Sequence, residues 1–243
     1  MKGFWAVCKR ELKAYFTTPV AYVFLVVFLF FAAYLPFRAG FYENRQADLR
    51  LFFDYMPLLL LFLVPSAAMR LWAEERRSGS IELLLTLPIT VRQAVVGKFV
   101  AAWVFLAIAL ALTLPMPITV WYLGHPDNGA IVCGYAGSFL MGGAFLAIGC
   151  FFSAMNKNQV ISFILTVVLC AILVFAGMPT TLNYMSSFLP KGAVGVIEGF
   201  SMQGHFESMS RGVLAMRDLV YFLALIVGWV FACTFVLEER KAA

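Results

Sequence analysis

Charged residues fall at wide intervals along this chain, and the apolar stretches between them set its organisation. Six windows can hold the ~20 mostly apolar residues needed to cross ~30 Å of hydrocarbon. They run from Lys13 to Arg38, Arg50 to Arg70, Lys98 to His125, Asp127 to Lys157, Lys157 to Lys191, and Asp218 to Glu238. The pattern predicts membrane-spanning helices near 20–37, 52–70, 92–123, 130–153, 159–178 and 217–237. In the second window Asp54 leaves fifteen uncharged residues before Arg70, about 22 Å of helix, so Asp54 is expected at the membrane boundary. Pro57, Pro65, Pro115 and Pro117 fall inside the second and third spans, where neighbouring helices can satisfy the freed carbonyls, and they predict kinks.

Composition agrees with this patterning. Of 243 residues, 63% are hydrophobic and 13% charged, against roughly 45–50% and ~25% in soluble domains. The expected fold is an all-α integral membrane protein of six transmembrane helices, a single transmembrane domain over 1–243 with no separate soluble domain. The first apolar run follows a charged leader without a small-residue cleavage signal, which predicts a retained anchor. Five cysteines lie scattered with no C-x-x-C pair and read as small packing residues rather than a disulfide or zinc framework.

The net charge of +5 has its origin in the connections between spans. Twelve basic residues, Lys9, Arg10, Arg76 and Arg77 among them, lie at the termini and in the even-numbered connections, against six in the others. By the positive-inside rule both termini are cytoplasmic. No basic stripe with interleaved stacking aromatics exists outside the apolar runs, so a nucleic-acid partner is excluded.

Three segments do not span. Residues 1–19 interleave Phe4, Trp5, Val7, Cys8 and Leu12 with Lys2, Lys9, Arg10 and Lys13 before Pro19, which predicts an interfacial amphipathic helix; a solvated leader is the alternative. Residues 179–216 are apolar for a loop and are expected on the outside, dipping back toward the membrane as re-entrant helices covered by protein or a water-filled cavity. The third segment, 70–90, is cytoplasmic. In it Gly79 or Ser80 can begin a short helix with Glu82 in its first turn, where a carboxylate suits the positive end of the dipole, and Pro88 ends it. Thr90 and Gln93 then form a capping box that opens the third span.

The five apolar residues from Ile81 to Leu87 gain only about 2–3 kcal/mol in lipid, while Arg70, Glu74, Glu75, Arg76 and Arg77 cost roughly 2.5 kcal/mol or more each at the bilayer centre. The charges hold this helix out of the membrane. Its Leu-rich face then needs cover from headgroups or from a partner protein.

The run Glu75, Arg76, Arg77, Ser78, Gly79, Ser80, Ile81, Glu82, Leu83, Leu84, with Pro88 after it, resembles the coupling segment of type-2 ABC transporter permeases. Lys9 to Phe16 with Pro19 and Tyr22, and the stretch Val64, Pro65 to Met69, Arg70 to Glu75, resemble the gliding-motility-associated (GldF-like) branch of that family. The resemblance implies a permease subunit of an ATP-binding-cassette exporter in a bacterial cytoplasmic (inner) membrane. It pairs with a second permease, identical or homologous, and with separate ATPase subunits. ATP and Mg belong to those subunits, with no cofactor bound by this chain. The ATPase-coupling positions it points to are Glu75, Arg76, Gly79, Ser80, Glu82, Leu84 and Pro88. Glu75, Arg76 and Glu82 are expected as polar contacts to the ATPase.

Other chemistries find little support. His125 and His205 are the only histidines, and neither H-E-x-x-H nor G-x-S-x-G occurs, so no catalytic or metal residue is expected. Gly97 and Lys98 are adjacent, but Phe99 follows and Arg92 stands where the first P-loop glycine belongs. A secondary transporter or channel without an ATPase is the open alternative, although no span carries a charge near its centre to bind a coupling ion. Gly134, Ser138 and Gly142 form a small-residue stripe in the fourth span that suits packing within the subunit or a dimer seam. Arg217 and Asp218 read as an anchor at the end of the last span.

Overall fold

The computed structural model describes residues 2–41, 48–79, 90–187 and 190–242. Ser80, Glu82, Leu84 and Pro88 of the coupling segment lie outside these residues, as do Arg45, Phe188 and Leu189. The described chain is helical: α1 Lys2–Thr17, α2 Pro19–Arg38, α3 Arg50–Ala68, α4 Arg70–Ser78, α5 Val91–Ala111, α6 Pro115–Leu123, α7 Asn128–Met155, α8 Gln159–Phe175, α9 Pro179–Ser186, α10 Lys191–Phe200, α11 Met202–Ser210 and α12 Met216–Ala242.

Five stretches are long and apolar enough to cross a membrane: Pro19–Arg38, Arg50–Ser78, Val91–Leu123, Asn128–Met155 and Met216–Glu239. The fifth expected span, α8, is an apolar helix of 17 residues that rises about 26 Å, a little short of the ~30 Å hydrocarbon layer. The third stretch is interrupted where the proline pattern points, whereas α3 runs on through Pro57 and Pro65 and the second stretch is interrupted only beyond them. The chain turns at Met69, four residues after Pro65, and at 112–114 just before Pro115. The Thr90–Gln93 capping box forms as the sequence predicts, with Gln93 N–H donating to Thr90 Oγ1 at 3.2 Å and Thr90 N–H donating to Gln93 Oε1 at 3.3 Å.

Helix α7 is the axis of the bundle. It packs against α3, α4, α5, α8, α11 and α12, and its small residues let them come close. A Cβ on Gly134 would stand 2.5 Å from the Phe53 ring, one on Gly142 2.4 Å from Leu106 Cδ2, and one on Gly149 2.4 Å from the Ala68 Cβ. The Gly134, Ser138, Gly142 stripe therefore packs within the chain, with Ser138 fully buried. The outward faces of α2, α8 and α12 carry exposed apolar residues such as Val26, Phe30, Ile164, Val168, Val227 and Phe231, as surfaces facing hydrocarbon should.

The two chain ends meet at one end of the bundle. Helix α1 packs on α5, where Val7 lies against Gly97. Near the end of α12, Glu238 Oε1 is 3.6 Å from Arg92 Nε at the start of α5. This end also holds α4, the last turn of α7 and the first turn of α8, where Ser162 Oγ donates to Phe152 O.

Candidate coupling site

Helix α4 is the stem of the segment that leads into residues 80–89, and it starts without a cap of its own. Met69 offers no side-chain hydrogen bond to the first turn, which leaves its N–H groups to be satisfied from elsewhere. Ser153 on α7 supplies the partner. Its Oγ accepts from Trp72 N–H and Ala73 N–H, both at 3.0 Å, and donates to Met69 O at 2.9 Å. One donor and two acceptors are the full capacity of a hydroxyl. Trp72 is fully buried behind this contact, and its indole N–H donates to Cys150 Sγ at 3.3 Å.

The other side of α4 is held by Lys98. It sits eight residues into α5 on the buried stripe with Val91, Ala94, Val95 and Ala102, and it is 2% exposed. Its ammonium donates to Leu71 O at 2.8 Å and lies 2.9 Å from Glu75 Oε1 and 3.2 Å from Glu11 Oε1. These contacts use all three N–H donors. The ammonium also lies 4.9 Å from the centre of the Trp72 ring, within cation–π range. Arg10 closes the group at 2.9 Å from Glu11 and 3.2 Å from Glu75. The hydrogen bond to Glu11, against the opposing effect of burial, holds the Arg10 guanidinium above its ordinary pKa. Two cations and two carboxylates cancel, so the cluster is neutral, and it joins α1, α4 and α5. Oε2 of Glu75 is buried without a hydrogen-bond partner among the described residues.

One further contact fixes the stem, and another ties α1 to the end of α3 just before it. Arg76 donates to Ala154 O at 2.5 Å, placing a cation on the terminal carbonyls of α7. Tyr15 donates from α1 to Ala67 O at 3.0 Å and stacks on Phe105 at 4.9 Å. Burial, with the Glu11 charge second, pushes its hydroxyl pKa up.

Three of the expected coupling residues lie among the described ones. Glu75 and Arg76, expected as polar contacts to a partner, are engaged inside the chain, because the helix face that carries them turns onto α5 and α7. Gly79 ends α4 at φ 72°, a left-handed conformation natural to glycine; the helix expected to begin after it lies outside the described residues. Lys98 and Ser153 were not singled out by the sequence. The available signal was a charge standing at a core position of an apolar helix stripe.

A second polar centre lies at the opposite end of the bundle. His205 Nδ1 is 2.6 Å from Asp218 Oδ1, and its Nε2 is 3.2 Å from Gly199 O. Tyr221 stacks on the ring at 4.1 Å and donates to Phe200 O at 2.5 Å. Asp218 is 5% exposed, so it is not a boundary anchor: His205 draws it inward and ties α10 and α11 to α12. Among the described residues no group of three or more His, Cys, Asp or Glu could hold a metal ion.

The stem α4 is thus tied to α1, α5 and α7 within a bundle of apolar helices. The family model described as ABC-2 family transporter protein matches residues 5–241, and the chain belongs to that family. It is a multi-pass membrane protein, the membrane component type of an ABC transporter. Comparison with curated proteins returns no match.

Proposed function

We propose that the chain is the permease subunit of an ATP-binding-cassette exporter, in which residues 80–89 dock into a separate ATPase and α4 carries the resulting movement into the membrane. The observation that carries this reading is the double fastening of α4, to α7 through Ser153 and to α1 and α5 through Lys98. A loop tip on a loose stem would dissipate a push. A tip on this stem displaces four elements together, because packed interfaces shift as units rather than deform continuously. Glu75 and Arg76 then act as stem fasteners, and contact with the ATPase falls to Ser80, Glu82 and Leu84 before Pro88. ATP and Mg are handled by the ATPase.

Six crossings fit this reading. The Arg92–Glu238 contact near the two chain ends supports an even number of traversals, with α8 as the fifth. The excess of basic residues favours a cytoplasmic position for that end of the bundle, which goes with α1 along the membrane face and α9 to α11 as re-entrant helices outside. A second permease copy or homologue completes the transporter in the bacterial inner membrane. The GldF-like resemblance leaves transport and force transmission as outputs of the same movement.

The test is recovery of the ATPase with Glu82→Arg and Leu84→Asp variants at matched membrane abundance. The first places the wrong charge at the helix start and the contact, and the second breaks the apolar face. Both should lower ATPase recovery. Full recovery and stimulation in both would assign residues 80–89 to the membrane surface instead.

A further inference from the structure

Between α1, α2, α3 and the start of α4 lies an open-sided cleft enclosing about 80 Å³. Tyr15, Phe24, Leu63 and Phe105 line its apolar depth, and Arg70 and Glu74 line its polar part. Given the reading above, in which α1 lies along the cytoplasmic face, this cleft straddles the boundary between headgroups and acyl chains. We infer that it seats a phospholipid whose headgroup carries a primary ammonium, of the phosphatidylethanolamine kind.

The charges select the headgroup. Arg70 Nε is 3.3 Å from Glu74 Oε2, and a guanidinium has five N–H donors, so this bond leaves capacity for a phosphate. Glu74 has four lone-pair sites and can also accept from an ammonium. Glu11, which lines the cleft as well, is already paired with Lys98 and Arg10, so it is the outer carboxylate, Glu74, that disfavours a purely anionic lipid. A quaternary choline has no N–H to donate to Glu74. The volume sets the rest. An apolar cavity of about 150 Å³ takes a benzene ring, so this cleft holds the upper stretch of one acyl chain while the remainder lies in the bilayer.

Native mass spectrometry of the purified chain, exchanged against equal amounts of phosphatidylethanolamine, phosphatidylcholine and phosphatidylglycerol with matched chains, tests this. One phosphatidylethanolamine should be retained over phosphatidylcholine by about tenfold, the scale of one hydrogen bond to a charged group. Glu74→Gln should bring the two to near parity while retaining a lipid. Ala21→Phe, which fills the cleft from α2, should lower retention of all three. Equal retention by the unaltered chain, preference for phosphatidylglycerol, or an unchanged preference in Glu74→Gln overturns the assignment, and the last holds even if Ala21→Phe misfolds. The measurement needs no ATPase, so its failure is distinct from a failure of ATPase docking.

Discussion

Replacing Lys98 with methionine keeps the length and apolar stem of the side chain and removes one charge and three hydrogen bonds. The ammonium is 2% exposed, and the Glu75 and Glu11 side chains are 17% and 15% exposed, so neither carboxylate can recover full hydration. Removing one partner of a buried ion pair costs roughly 3–5 kcal/mol, because the other charge is left uncompensated. Arg10 remains beside both carboxylates, but at 56% exposure its contribution is screened. The expected loss is therefore about 3 kcal/mol, at the lower end of that range. Reversible unfolding in mixed micelles measures it. Adding Glu75→Gln should be less damaging than the sum of the single changes, with a coupling of about 1–3 kcal/mol. Near-neutral Lys98→Met, or strict additivity with Glu75→Gln, would refute the cluster as the fastening of α4. In the assembled transporter Lys98→Met should lower transport per ATP hydrolysed more than ATPase recovery, because the docking tip is untouched.

Ser153→Ala should destabilise the chain by about 2 kcal/mol, since two buried N–H groups and one carbonyl lose a shared partner, and the same unfolding titration reads it. Gly149→Ala should cost about 2–3 kcal/mol because its new methyl meets the Ala68 Cβ, which cannot rotate away. Gly142→Ala, which meets the mobile end of Leu106, should cost less; the reverse order would contradict the packing described for α7. A cysteine placed near Lys191 should react with an impermeant label from outside the cell, and labelling only from the cytoplasm would invert the topology.

Much of the helical layout is legible in charge spacing because lipid tolerates few charges in a span. The Thr90–Gln93 cap and the interruption before Pro115 are equally local: each depends on residues within one turn. The fastening of α4 is not legible in this way. Trp72 meets Ser153 across 81 positions and Lys98 meets Leu71 across 27, and no periodicity announces which polar group will cap a helix from another helix. Lys98 was visible only as a charge near the start of a span. Its burial depends on α1 folding over α5, with Val7 against Gly97. Asp218 shows the same limit. A carboxylate at the end of an apolar run reads as a boundary residue until His205, on a separate helix, turns it inward.

The central claim is that residues 80–89 meet an ATPase while α4 transmits the contact. Photo-crosslinking from an unnatural amino acid at position 82, in membranes containing the transporter's own ATPase, tests it most directly. A crosslink to the ATPase should form, survive in Lys98→Met and be lost in Leu84→Asp. Crosslinks to lipid or to this chain alone, with an intact ATPase present, would contradict it.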